Sequence, residues 1–151
     1  MIDLNGIAHI QLSVSDLKRS RDFYHRILHQ TFGMTIQYDD ATAFYCIGGR
    51  TGIVIREISE ANRGVAFDQW RVGLHHFCFR LRSRDDIESL HDVLVDMGAT
   101  VIRPPEPGPW APGYHSVLWE DPDGIRLEAV FIPGAGNLAV IKDKPLIPPM
   151  T

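Results

Sequence analysis

The 151 residues predict an α+β fold built from two tandem βαβββ modules. Two observations lead there. The order of apolar patterns, one strand, one helix and three strands, occurs twice at a spacing of about 66 residues. The opening strand of each copy also carries a His just ahead of an alternating run, AHIQLSV at 8–14 and LHHFCFRL at 74–81. Successive strand side chains point to opposite faces, so Ile10, Leu12 and Val14 share one face while His9, Gln11 and Ser13 share the other. The same parity separates Phe77, Phe79 and Leu81 from His76, Cys78 and Arg80. An ordinary half-buried strand sends its polar face to water; two polar faces that each begin with His offer the lining of a common cavity as the alternative.

In chain order, Ser15 or Asp16 caps a first helix with Leu17, Phe23, Tyr24, Ile27 and Leu28 at helical spacing, stopped near Gly33. Three strands follow at 34–38, 43–47 and 52–58, separated by Asp39-Asp40 and Gly48-Gly49. Together these make a first module over 5–58. Residues 59–72 read as a linker, with Phe67 and Trp70 expected to pack down. The second module spans 73–131: strand 74–81, a helix over 85–97 with Ile87, Leu90, Val93, Leu94 and Met97 on one stripe and Gly98 as its stop, then a strand at 100–103. A proline-rich loop, 103–113, leads to a strand at 114–120, a tight DPDG turn at 121–124 and a last strand at 125–131. Residues 132–151 read as a C-terminal tail lying over the surface or a neighbour. Aligning the last strands on Gly52 and Gly124 sets Arg56 opposite Glu128.

A chain of this length with 44% apolar residues can bury a core as one domain or as two fused modules. The formal charge of −4 comes from 19 acidic and 15 basic residues without long runs, which argues against nucleic-acid and membrane partners and leaves small molecules. Cys46 and Cys78 are too few for a disulfide framework, and both lie in apolar runs where reduced, buried thiols are common. The start MIDLNGIAHI has no basic leader, and no stretch reaches transmembrane length, so the expectation is a soluble cytoplasmic protein.

The paired βαβββ order, the His at the start of each first strand and the ending DPDGIRLE resemble the vicinal oxygen chelate (VOC) superfamily over roughly residues 5–131. That superfamily includes glyoxalase I, extradiol dioxygenases, methylmalonyl-CoA epimerase, fosfomycin-resistance enzymes and bleomycin-binding proteins. The resemblance implies curved mixed sheets around a cavity, the glyoxalase/bleomycin resistance/dioxygenase fold. It also places metal ligands at His9, His76 and Glu128. The family's fourth ligand position falls at Arg56, with Glu57 one place out of register. Two imidazoles and a carboxylate hold one divalent ion per site, Fe, Mn, Ni, Co or Zn by ligand type, and leave positions for water or a substrate with two adjacent oxygens. Without a carboxylate or amide at 56, the four-ligand glyoxalase I and epimerase patterns are incomplete. The three-ligand fosfomycin and extradiol enzymes match better in ligand number, although the Tyr they commonly carry ten places before the Glu is Leu118 here. Tyr114 has the same strand parity four residues earlier.

Each singled-out residue also has an ordinary reading. Either His alone is more often structural than a ligand; the set with Glu128 carries the metal assignment. Arg56 is a solvated strand residue or a cation for a substrate carboxylate or phosphate. Gln11, Cys78, Tyr114 and Ser116 share parity with the ligands and are candidates for facing substrate. Cys78 reads as a small buried residue rather than a nucleophile. His25 and His29 read as a solvated helix face rather than a zinc pair. His75 has the wrong parity, and His91 and His115 have no argued role. Trp110 closes over a substrate or simply packs. The resemblance further implies a homodimer in which a second chain completes the cavity. The leading function is a metal-dependent, glyoxalase/dioxygenase-like enzyme. A metal-free binding protein of the bleomycin-resistance type competes with it, and a catalytically silent module is the third reading.

Overall fold

The computed structural model describes residues 2–4 and 6–134, arranged in two compact units, Met1–Phe67 and Asp68–Thr151. The boundary falls within the segment read as a linker, which also holds a single 3-10 turn at Glu60–Asn62. Of the proposed tail, 135–151 lie outside the described residues.

The first unit contains β1 (His9–Val14), α1 (Leu17–Tyr24), β2 (Thr35–Asp39), β3 (Ala43–Gly48) and β4 (Thr51–Glu57). Its sheet has the order β1-β4-β3-β2, with β1 parallel to β4 and the other pairs antiparallel. The parity expected of β1 is present: Leu12 and Val14 are buried while His9, Gln11 and Ser13 are exposed. Asp16 caps α1 by accepting from the Arg19 N–H at 2.9 Å. The helix then widens into a π-helical stretch, His25–Thr31, in which the Phe32 N–H reaches back five residues to the Ile27 carbonyl. The wider turn keeps Ile27 and Leu28 buried together with Tyr24 and Leu17. Those side chains share the core with Phe44, Cys46, Ile53 and Ile55 from the sheet.

In the second unit are β5 (Phe77–Arg80), α2 (Arg84–Asp96), β6 (Thr100–Pro107), β7 (His115–Glu120) and β8 (Arg126–Phe131). The order β5-β8-β7-β6 repeats the first sheet, again with a parallel outer pair. Ser83 opens α2 with a capping box: its hydroxyl accepts from the Asp86 N–H while the Asp86 carboxylate accepts from the Ser83 N–H. Ile87, Leu90 and Leu94 on α2 are buried, as are Val117, Trp119, Leu127 and Ala129 on the sheet. The turn before β8 closes on Asp121, whose carboxylate accepts from the N–H groups of Asp123 and Ile125.

Three expectations are corrected. Strand β5 is shorter than 74–81, so His75 and His76 stand just ahead of it. Strand β6 runs on through Pro104, Pro105 and Pro107 where a loop was expected. Proline φ suits extended backbone, and β6 is the edge of its sheet, where a missing N–H costs no interior ladder bond. Trp70 does not pack down but is 77% exposed.

Candidate functional site

The second sheet gathers polar groups around Glu128. Leu118 and Glu128 are paired across β7 and β8, and Cys78 and Glu128 across β5 and β8, so the carboxylate rises from the middle of the sheet. Its residue is only 5% exposed, so the charge needs partners. His76 Nε2 stands 3.1 Å from Oε2. Tyr114 donates its hydroxyl proton to Oε1 at 2.7 Å, and Arg103 donates from Nη2 to the same oxygen at 3.1 Å. Arg103 Nη2 also reaches the buried Ser116 hydroxyl at 3.3 Å, its Nε stands 3.3 Å from Glu106, and its guanidinium lies 5.4 Å from the Trp110 ring centroid. Trp110 packs in turn on Tyr114, with ring centroids 5.0 Å apart.

Of the residues singled out from sequence, His76, Cys78, Tyr114, Ser116 and Glu128 therefore meet on one sheet. Cys78 is exposed rather than buried as expected. Its thiol is nevertheless held above the ordinary range, first by desolvation among its neighbours and then by the negative charge of Glu128, so an inert thiol remains the better description. Desolvation and the hydrogen bond to Glu128 likewise push the Tyr114 phenol up. His75, set aside on parity, is in contact after all: its Nδ1 lies 2.7 Å from His76 Nδ1, and Trp70 packs edge-on against the His75 ring. Trp110 packs on Arg103 and Tyr114. His115 turns to the helix side, where its buried Nε2 meets Glu88 Oε1 at 2.8 Å.

His9, Gln11 and Arg56 belong to the first unit, on the polar face of its sheet, and all three are exposed. The ladder sets His9 beside Gly52, Gln11 beside Val54 and Arg56 beside Ser13. The Tyr45 ring covers Gly52 so closely that a Cβ there would meet it at 2.5 Å. Among the described residues no three His, Cys, Asp or Glu side chains converge as a metal-binding group. The donor chemistry of the His76–Glu128 pair would suit a divalent ion, and these are two of the three residues that the family resemblance marks as ligands.

Arg103 is the residue that sequence reasoning missed. Its parity could not be counted, because β6 breaks register against β7 between Val101 and Arg103 and again before Glu106. The one available signal was an Arg next to a run of prolines, too common a pattern to single out.

Two mixed sheets, each with a helix on one face and polar residues on the other, thus carry a buried carboxylate beside an imidazole. The model of the Glyoxalase/Bleomycin resistance protein/Dioxygenase superfamily matches residues 6–129, and the chain belongs to that family. It is 30% identical over 123 residues to the uncharacterized protein YqjT of Bacillus subtilis (strain 168), covering 81% of this chain and 95% of that protein. To a lactoylglutathione lyase of Escherichia coli O157:H7 it is 30% identical over 135 residues, covering 87% and 96%. The crystal structure of a glyoxylase/bleomycin resistance protein/dioxygenase domain from Frankia sp. EAN1pec is similar with a TM-score of 0.68 and 29% identity, over 85% of this chain and 98% of that one. No described helix is long and apolar enough to cross a membrane.

Proposed function

We propose that the chain is a divalent-metal-dependent enzyme acting on a small molecule that chelates the metal through adjacent oxygens. The observation that carries this reading is the His76–Glu128 pair: an imidazole nitrogen and a buried carboxylate oxygen 3.1 Å apart at the open face of a sheet. His76 and Glu128 would hold the ion, with His9 as the remaining ligand, from the same chain or from a second copy in a cytoplasmic homodimer. Fe, Mn, Ni, Co and Zn all suit two imidazoles and a carboxylate. A bound ion acts as a Lewis acid toward oxygens on which negative charge develops. Arg56, exposed on the polar face of the first sheet, would pair with a carboxylate or phosphate on the ligand. Gln11, on that same face, would donate or accept one further hydrogen bond to the ligand.

A second reading has its own support. Tyr114 and Arg103 already donate to Glu128 and His76 Nε2 stands 3.1 Å from its other oxygen, the kind of pairing a metal-free binding protein would need in order to bury that carboxylate. Metal content of tag-free protein purified without chelator separates the two. Near-stoichiometric metal in the wild type, lost in folded His76→Ala and Glu128→Gln variants, is the expected outcome. Absence of metal after reconstitution with each of the five ions would overturn the metal reading in favour of the binding protein and make ligand screening the next experiment.

A further inference from the structure

Glu128 receives the Tyr114 hydroxyl and the Arg103 guanidinium on the same oxygen, and the Cys78 thiol also hydrogen-bonds to the carboxylate. Tyr114 and Arg103 both donate to Oε1, whereas Oε2 faces His76. A carboxylate oxygen offers about two lone-pair directions, so two donors leave Oε1 with little capacity for a third partner. Neither donor is free to swing away. The Tyr114 ring packs on Trp110, and Arg103 is held by Ser116, Glu106 and the face of the same Trp110 ring. The Tyr114 hydroxyl has a single proton, and that proton is committed to Glu128.

We propose that Tyr114 and Arg103 are positioning residues that hold Glu128 by Oε1, so that the carboxylate is offered to a metal through Oε2 alone. This rests on the metal reading given above. It also moves Tyr114 from the substrate-facing set to the support of the ligand, and it gives Arg103 a role in that support. Freed of its two donors, the carboxylate would be able to turn and bind through both oxygens.

Titration of the full-length protein with Co(II), followed by its d–d absorption, tests the proposal without any substrate. Tyr114→Phe keeps the ring and its packing on Trp110 and removes only the hydroxyl. The expected result is a Co(II) affinity about 10–100-fold weaker than wild type, the usual effect of losing a partner that orients a ligand, together with a changed absorption spectrum. Arg103→Lys, which keeps a cation but loses the planar fork, is the second variant and is expected to weaken Co(II) in the same direction. A wild type that binds Co(II) while both variants match it in affinity and spectrum would overturn the positioning role and leave the metal reading standing. Failure of the wild type itself to take up Co(II) would overturn both.

Discussion

The two sheets share one strand order and differ in the stagger of their central strands. In the first, Arg56 stands beside Ser13, four residues beyond His9; in the second, Glu128 stands beside Cys78, two residues beyond His76. The place next to Gln11 that corresponds to Glu128 by ladder is held by Val54. A shift of two residues preserves the face and moves the side chain about 7 Å along the strand. Matching the modules by motif therefore reports correctly which face a residue lies on, but not its height above the His. The difference in environment follows. Arg56 is exposed, whereas Glu128 is buried, with Tyr114 and Arg103 donating to it and His76 beside it.

The aligned pair Arg56 and Glu128 should respond very differently to truncation. Glu128→Ala removes the partner of the half-buried Arg103 and is expected to destabilise the fold by about 3 kcal/mol, at the low end for a broken buried pair because Arg103 keeps some contact with water. Arg56→Ala should shift stability by less than about 0.5 kcal/mol. Urea denaturation of the two variants checks this, and equal losses would mean that the modules are less different than their ladders.

The thiols extend the contrast to pH. Cys46 is fully buried in the first unit, and burial, with the charge of Asp39 adding to it, raises its pKa from 9.0 to about 11. The folded state thus keeps a proton that the unfolded chain loses, and stability should be intact below pH 9 and decline as pH rises toward about 11. The full loss is about 2–3 kcal/mol. Melting curves across that interval, repeated with Cys46→Val, should show the decline flatten in the variant; an unchanged slope would assign it to other groups.

The smallest difference lies at the helix starts. Asp16 supplies one capping bond, whereas Ser83 and Asp86 cap each other reciprocally. Asp16→Ala and Ser83→Ala should each cost about 1 kcal/mol, with Ser83→Ala the larger, measured by thermal denaturation. A larger loss at Asp16 would show that the reciprocal bond contributes little.

Much of this architecture was legible because the patterns are local. Strand parity placed His9, Gln11, Cys78 and Glu128 on polar faces, and helical spacing picked out Leu17, Tyr24, Ile87, Leu90 and Leu94. What escaped depends on contacts distant in sequence. The neighbours of Glu128 include Tyr114 and Arg103, which are 14 and 25 residues away. Arg103 comes into range only through two breaks in register that no periodicity announces. Even the glycines used to align the modules serve different ends. Gly124 adopts φ +82 in the turn before β8, a conformation that disfavours side chains, whereas Gly52 makes room for the Tyr45 ring.

The prolines of β6 carry a consequence for self-association. An outer strand with a full row of free N–H groups is a template onto which another chain can add, extending the sheet without limit. Pro104, Pro105 and Pro107 leave three positions of the outermost strand of the second sheet without an N–H, and since Pro104 and Pro105 are adjacent and alternate in direction, only some of the three thin its outward-facing row. Growth of the sheet past β6 is thereby discouraged, and the segment that brings Arg103 to Glu128 also acts as a guard against aggregation.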